Sequence, residues 1–190
     1  MIARLVACAA LCLGLAGCAV AHDHDELTGI FDKGLAEYDA GHYEAAFKIF
    51  QSIDDEDVAA MRNEGLMLRK GQGTQKDPEA AIEMLERAAY AGLATAQYDL
   101  AEMLLNGEAG EPDPKRALPW LTSAAAAHHP LAEYRLGLMY EEGTVVEKNY
   151  GFARTLYTQA ADGGVPQAKE RLAKLPPVPA EPVPPPSTDP

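Results

Sequence analysis

Aromatic and basic residues are scarce in this chain of 190 residues. Aromatic side chains make up 7% of the composition, whereas the apolar share reaches 47%. This balance favours thin helical layers over a β-sandwich. Lysine and arginine number 16 against 29 aspartates and glutamates, which gives a formal net charge of −13. Phosphate backbones repel such an acidic chain, so we expect no nucleic-acid partner.

Cysteine occurs only within the first eighteen residues. Cys8 and Cys12 lie in an apolar run from residue 5 to residue 16, which follows a short segment carrying Arg4. A run of this length is too short for an ordinary spanning helix and is typical of a secretory signal peptide. It ends in the sequence Leu-Ala-Gly-Cys at residues 15–18.

The Leu-Ala-Gly-Cys ending resembles the lipobox of bacterial lipoproteins. The resemblance implies removal of residues 1–17 and acylation of Cys18, whose acyl chains would anchor the protein in a lipid bilayer. It also implies a mature chain without a free thiol or a disulfide, although disulfides are permitted outside the cytoplasm. Ala19 follows where an aspartate marks inner-membrane retention in enteric bacteria, which favours the outer membrane, facing the periplasm. A plain secretory signal peptide is the alternative.

An acidic segment at residues 18–28 follows the proposed cleavage site and contains His22 and His24. Imidazoles and carboxylates are ligands of zinc, nickel and copper, so one interpretation is a metal-capturing segment. Two histidines without an ordered partner do not define a site, and the interpretation we favour is a solvated tether. We therefore predict no metal site and no cofactor.

A 36-residue period runs through the chain. It is kept by four alanines (Ala60, Ala96, Ala132 and Ala168), by three glycines (Gly71, Gly107 and Gly143) and by three methionines (Met67, Met103 and Met139). Near the end of each copy, apolar residues recur at i, i+3, i+4, i+7 and i+8, as in Ala153, Leu156, Tyr157, Ala160 and Ala161. This spacing is one face of a helix, and each copy has room for a shorter helix before it.

The ends of these helices carry their own signals. Asp77 and Asp113 are suited to N-cap the second helix of a copy, and the prolines that follow them suit its first position. The periodic glycines suit the left-handed turn that ends each first helix.

The sequences AEYRLGLMYEEGTVV at residues 132–146 and ARTLYTQAADGG at residues 153–164 resemble a Sel-one-like repeat (SLR). Residues 60–95 and 96–131 match this pattern less fully, with Ala101 in place of Gly137 and His128 in place of Gly164. The resemblance implies an all-α fold, a right-handed superhelical α/α solenoid of tetratricopeptide-like helix pairs with a concave face.

The array extends on both sides of these copies. Residues 29–58, with GHYEAAFKIF at residues 41–50, resemble a tetratricopeptide repeat, and residues 59–175 hold three SLR repeats and a capping helix. One helix pair cannot bury its apolar stripe alone, so stacking of the units is expected. Residues 176–190 contain eight prolines, which favour extended polyproline II. We interpret this tail as a disordered spacer, the alternative being a ligand for an aromatic groove.

Three positions depart from the repeat. Glu64 occupies the position that holds leucine in the other two copies, at Leu100 and Leu136. Because a buried lone carboxylate is costly, Glu64 must reach solvent or a basic partner, or line the binding face. Pro119 falls inside a second helix, where it removes a backbone donor. His128 replaces a glycine and predicts a less usual turn.

No catalytic constellation is apparent in the sequence. Ser123 precedes His128 and His129 by five and six residues, which does not place them on one helical face, and both histidines are interpreted as turn residues. No phosphate loop or cysteine pair is present. Some cysteine-rich secreted SLR proteins are linked with β-lactam binding. An envelope hydrolase acting on β-lactam or peptidoglycan therefore stays an alternative, as does a metal-handling lipoprotein that uses His22 and His24.

First helices line the concave groove in the SLR architecture, which gives a set of candidate protein-binding residues. These are Phe31, Arg62, Tyr98 and Tyr134 in one repeat phase, Asn63, Asp99 and Arg135 in the next, and Glu64. Packing between repeats is the alternative for the aromatic residues, whereas the polar set is expected to be exposed. We expect a non-enzymatic adaptor that binds another envelope protein or a peptide segment. It would assist assembly or regulation of a complex for secretion, polysaccharide export or cell-wall synthesis.

Overall fold

The structure is a computed structural model, and it describes residues 23–177. Within this range the chain forms nine α-helices and no strand. The helices are α1 (His24–Asp39), α2 (Tyr43–Gln51), α3 (Val58–Lys70), α4 (Pro78–Tyr90), α5 (Ala94–Asn106), α6 (Pro114–Ala126), α7 (Pro130–Glu142), α8 (Tyr150–Asp162) and α9 (Pro166–Lys174). Each helix packs against the next along the chain, which confirms the all-α solenoid of helix pairs. The predictions for residues 1–17, for Cys18 and for the tail beyond residue 177 lie outside the described residues.

Side chains and glycines end the helices as the sequence predicts. Asp77 and Asp113 accept hydrogen bonds from the backbone N–H groups of Ala80 and Arg116, at 2.9 and 3.0 Å. Gly71, Gly107 and Gly143 close the three first helices in the left-handed conformation, with φ between 64° and 71°. Because these caps satisfy helix-end groups locally, each repeat can make its sharp turn without support from other repeats.

Small residues bring the two helices of a repeat into close contact. Gly137 of α7 lies against the ring of Tyr157 on α8, and a Cβ atom at this glycine would be 2.7 Å from that ring. The middle repeat has Ala101 and Leu121 at the equivalent positions, so a smaller partner accommodates the larger alanine side chain. In the first Sel1 repeat Gly65 faces Leu85, whose Cγ atom would lie 3.1 Å from an added Cβ, so the Tyr157 ring is the partner that leaves the least room.

Three hydrophobic clusters follow one another along the array. The N-terminal cluster is built around Phe50 and Ile53, and the central cluster extends from α4 to α8 with Leu85, Leu100 and Leu121 fully buried. The C-terminal cluster, around Tyr157, is closed by Val165, Ala168 and Leu175. The helix α9 (Pro166–Lys174) lies where the sequence predicts the capping helix.

The boundary of the predicted tether is wrong. Helix α1 begins at His24, where Asp23 accepts a hydrogen bond from the Glu26 backbone N–H at 2.8 Å. Residues 24–28, which were expected to be tether, therefore belong to the first helix.

The two other departures from the repeat are accommodated locally. Pro119 is exposed on α6, which runs without a break from Pro114 to Ala126. His128 has a φ of 58°, and within residues 23–177 no other residue besides glycine has a positive φ. The less usual turn predicted at His128 is confirmed.

Candidate protein-binding face

The polar residues expected to be exposed are paired between repeats. Arg62 Nε on α3 donates to Asp99 Oδ2 on α5 at 2.6 Å. Arg135 Nη2 on α7 donates to Glu102 Oε2 on α5, also at 2.6 Å. The side chain of Asp99 is only 13% exposed. The exposure expected for Asp99 is therefore wrong, whereas 39% of the Arg135 side chain is exposed. Contact of either residue with a partner stays a prediction.

A third ion pair extends this row along the first helices. Arg69 Nε donates to Glu108 Oε2 at 2.6 Å, across the same α3–α5 step. The guanidinium of Arg69 lowers the pKa of the Glu108 carboxyl below its ordinary value. The first helices are thus linked to one another by charged side chains as well as by apolar packing.

The aromatic residues of the predicted site pack inside the array. Tyr98 stacks on the His129 ring at a centroid distance of 4.8 Å, and Tyr134 packs against Tyr157 at 5.7 Å. Phe31 packs against Phe50 at 5.6 Å. Phe31 and Tyr134 thus meet rings of their own helix pair, whereas Tyr98 meets the N-cap residue of α7, where the next pair begins. Packing between repeats, the alternative considered from sequence, is shown by these ring contacts for Tyr98 alone.

Glu64 neither reaches solvent nor lines an open groove. It is 5% exposed, its Oε1 atom accepts a hydrogen bond from Gln51 at 3.4 Å, and its Oε2 atom has no hydrogen-bond partner among residues 23–177. Arg87, the basic group nearby, donates to Asp54 and Asp55 instead. Burial raises the pKa of the Glu64 carboxyl, and the charge of Asp54 raises it further. Glu64 therefore belongs to the packing between α2 and α3 and is removed from the candidate face.

Asn63 is the predicted residue that borders an open space. It lines an opening of about 260 Å³ between α1 and α3, which we call the α1–α3 cleft. Its apolar lining is Leu35, Tyr38, Phe50, Leu66 and Met67. Asp39 and Lys70 complete the lining with opposite charges.

Sequence reasoning missed Leu35 and Leu66. Leu35 is a 37% exposed apolar residue on α1, and Leu66 lies on α3, the first helix of the next unit. The signal that could have found Leu35 is its position in the first described unit of the array, whereas no signal in the repeat pattern singles out Leu66.

The residues considered for catalysis and metal binding do not come together. Ser123 is exposed on α6, whereas His129 accepts a hydrogen bond from the Ala132 backbone N–H at 3.3 Å and stacks on Tyr98. His24 is exposed at the start of α1. In the part of the chain from residue 23 to residue 177, no group of three or more histidine, cysteine or acidic side chains could hold a metal ion. No helix in that part is long and apolar enough to cross a membrane.

Solved structures similar to this chain have the same architecture. A Sel1 repeat protein from Oxalobacter formigenes is 31% identical with a TM-score of 0.71, over 76% of this chain and 59% of that one. The protective antigen c5321 of uropathogenic Escherichia coli, which displays an SLR fold, is 24% identical with a TM-score of 0.71, over 78% and 33% of the two chains. This chain therefore spans less than two thirds of the length of either protein. No curated protein matches the chain.

The family model named Sel1 repeat matches residues 58–93, 94–129 and 130–165. These three matches coincide with the helix pairs α3–α4, α5–α6 and α7–α8. Proteins built from Sel1 repeats are generally scaffolds for protein interactions. The matched repeats cover more than half of the sequence, and the chain belongs to the Sel1 repeat family.

Proposed function

We propose that this chain is a lipid-anchored, non-enzymatic adaptor of the bacterial envelope that holds a peptide segment of another envelope protein in the α1–α3 cleft. The observation that carries the proposal is the difference between this cleft and the other first-helix surfaces. Ion pairs and aromatic stacking occupy those surfaces, whereas the cleft presents apolar side chains and the Asn63 amide.

The lining of the cleft indicates the chemistry of the segment. Phe50 and Met67 are buried and form an apolar floor, and Leu35 is partly exposed at the opening. A large apolar side chain entering this space would remove its own surface and the apolar lining of the cleft from water. The Asn63 amide can then donate to and accept from the backbone of an extended peptide, which fixes its direction.

The proposed anchor would hold the cleft close to the bilayer. The proposal of an anchor rests on the Leu-Ala-Gly-Cys sequence that ends at Cys18. Helix α1 begins at His24, so six residues span at most about 20 Å between the acylated cysteine and the array. The partner would therefore present its segment near the membrane surface, which fits assistance to a secretion, polysaccharide-export or cell-wall complex.

Photo-crosslinking in intact envelopes tests the cleft. A photoreactive residue at Lys70 is expected to give an adduct with one envelope protein, and Leu35→Glu is expected to reduce it about tenfold by placing a charge in the opening. Leu131→Glu is the matched control. Leu131 lies on α7 and is 43% exposed, which is close to the 37% of Leu35. The proposal fails if no adduct forms, if both variants reduce it equally, or if a photoreactive residue at the exposed Thr155 gives the same adduct.

The anchor is tested by Cys18→Ala. This change is expected to abolish incorporation of labelled palmitate, to move the protein out of the membrane fraction and to weaken the Lys70 adduct. Retained palmitate labelling, or retention in the membrane fraction, would contradict lipidation at Cys18.

A further inference from the structure

A second opening lies on the opposite set of helices, between α4 and α6. It measures about 600 Å³, and we call it the Tyr90–Trp120 cleft after the two rings that form it. The ring centroids are 4.9 Å apart and the rings are nearly perpendicular, at 80°. Tyr90 is 78% exposed, which is unusual for a large side chain that packs beside a tryptophan.

The repeat fold does not require this pair of rings. The residues one and two periods after Tyr90 are Ala126 and Asp162. The residues one period before and after Trp120 are Met84 and Leu156. All three Sel1 repeats form the same helix pairs, but this aromatic cleft occurs only between the first and second of them, at α4 and α6.

The cleft has the chemistry that recognises polyproline II. Within residues 23–177 the indole N–H of Trp120 has no hydrogen-bond acceptor, so it is free to donate to a ligand carbonyl. Proline rings pack on aromatic faces of this kind, and a preformed polyproline II helix loses little conformational entropy on binding. The exposed Pro119 ring adds an apolar side to the cleft.

The chain itself carries a segment of matching character beyond residue 177. Polyproline II has three residues per turn, so prolines spaced by three lie along one edge. Pro176, Pro179, Pro182 and Pro185 have this spacing. The segment 178–190 also carries Glu181 and Asp189 and no basic residue.

Charge on the cleft is complementary to that of the segment. Lys115 and Arg116 both line the cleft, and Glu86 is the acidic residue beside them. Arg116 donates to Glu86 at 3.0 Å, which leaves the Lys115 ammonium available to a carboxylate of the segment. Two cations at one place are notable in a chain with a net charge of −13.

The last described residues lie against α8, the second helix that follows α6 in the array. Leu175 is buried, and Arg154 Nη2 on α8 donates to the Pro176 carbonyl oxygen at 2.8 Å. From α8 to the cleft is about two helix diameters, roughly 20–25 Å. The thirteen residues of 178–190 reach about 40 Å as polyproline II, which is enough to cross α8 and enter the cleft.

We infer that the Tyr90–Trp120 cleft is a binding site for polyproline II and that its occupant is residues 178–190 of the same chain. Prolines 179, 182 and 185 pack on the two rings, the Trp120 N–H donates to a backbone carbonyl, and Lys115 pairs with Glu181. The site is independent of the α1–α3 cleft, so failure of one proposal leaves the other standing.

Fluorescence of Trp120, the only tryptophan, reports occupancy directly. The test compares residues 19–190 with residues 19–177, which contain every described helix and hydrophobic cluster. Acrylamide quenching of Trp120 is expected to be about twofold stronger in the shorter protein, because the docked prolines shield the indole from the quencher. Equal quenching in the two proteins overturns the proposal.

Two variants separate docking on the rings from a general effect of the tail. The triple variant Pro179→Ala, Pro182→Ala and Pro185→Ala is expected to raise quenching to the level of the truncated protein. The control Pro184→Ala with Pro186→Ala removes prolines that lie off this edge and is expected to change little. Tyr90→Ala, at an exposed position, is expected to abolish the difference between long and short proteins. An equal effect of both proline variants, or an unaltered difference in Tyr90→Ala, overturns the proposal.

A dilution series distinguishes the chain's own tail from that of a second copy. A segment linked to its site acts at an effective concentration of the order of millimolar, so protection within one chain does not depend on protein concentration. Protection that disappears on dilution would assign the occupant to another molecule and contradict the inference. Added peptide 178–190 is expected to protect Trp120 in residues 19–177 and to have a much smaller effect on residues 19–190.

Discussion

The junction between α2 and α3 and the junctions between Sel1 repeats bury different residues at the same structural position. At the first junction Glu64 is buried, and Arg87 reaches across to Asp54 and Asp55. At the next two repeats the equivalent residues are leucines, of which Leu100 is fully buried. The first junction thus holds a buried carboxylate at a position where the Sel1 repeats hold leucine, although ion pairs such as Arg62–Asp99 also link the Sel1 repeats.

This difference matters because stability in a solenoid is close to a sum of repeat and nearest-neighbour terms. A leucine junction depends little on pH or salt, since it gains stability from apolar burial. A junction with a buried carboxylate depends on the protonation state of that group. Attachment of the N-terminal pair, which forms one side of the α1–α3 cleft, is therefore expected to depend on pH through Glu64.

The largest effect is expected when the residue of the first junction is placed in a Sel1 junction. Leu100→Glu puts a carboxylate in the centre of the apolar cluster, where no basic group is arranged to receive it, and is expected to destabilise the protein by about 3–5 kcal/mol. Urea unfolding at neutral pH measures the loss. Leu131→Glu, on an exposed surface, is the control and is expected to change the free energy of unfolding by no more than about 0.5 kcal/mol. A loss below about 1 kcal/mol for Leu100→Glu would contradict the distinction between the two kinds of junction.

The periodic features of this architecture could be predicted from the sequence because they are local. Asp77 and Gly71 act within one helix turn, and the alanine phases follow from the geometry of a single helix. The start of α1 was also present in the sequence, since Asp23 is followed three residues later by Glu26, a typical N-terminal pattern. The acidic residues around this pattern are equally typical of a solvated tether, which is why the predicted tether extends too far, to residue 28.

The candidate binding residues could not be predicted in the same way. Arg62 pairs with Asp99, 37 residues away, which is one repeat and one further residue. A first-helix residue faces either the next repeat or the groove, depending on how far one helix is shifted and rotated against its neighbour. The position of a residue within the repeat does not give that shift. The same holds for the α1–α3 cleft, whose lining comes from α1, α2 and α3 and so depends on how two successive units stack.

Within the Sel1 array, the glycine and alanine variants of the repeat provide a smaller test. Gly137→Ala places a Cβ atom against the Tyr157 ring and is expected to destabilise the protein by about 1–3 kcal/mol. The middle repeat carries alanine opposite leucine, at Ala101 and Leu121, so Tyr157→Leu is expected to relieve the clash. In a double-mutant cycle, the coupling between the two substitutions is expected to be favourable by about 1 kcal/mol or more. Additive effects of the two substitutions would show that the Tyr157 ring does not limit the size of the residue at position 137.

The smallest effect is expected from removing the charge at the first junction. Glu64 faces Gln51, Asp54, Asp55 and Arg87, and its pKa is raised chiefly by burial. Because the folded state holds the proton more tightly than the unfolded chain, this carboxyl contributes stability at low pH that is lost as pH rises through its folded pKa. Glu64→Gln keeps a neutral group of the same shape. It is therefore expected to be more stable than the natural chain at pH 7 by about 1 kcal/mol.

This gain should depend on pH in one direction. Below about pH 3, where the carboxyl is protonated in both states, the two proteins are expected to unfold at the same urea concentration, and the gain should grow as pH rises from there towards neutrality. Burial also raises the pKa of Glu133, but this carboxyl is present in both proteins. Its contribution to the pH dependence of stability therefore cancels in the comparison. Glu83→Gln, at an exposed position on α4, is the matched control and is expected to show no such trend. A gain that is constant with pH, or a loss of stability at neutral pH, would mean that Arg87 compensates the buried charge of Glu64, and the first junction would then be no more sensitive to pH than a leucine junction.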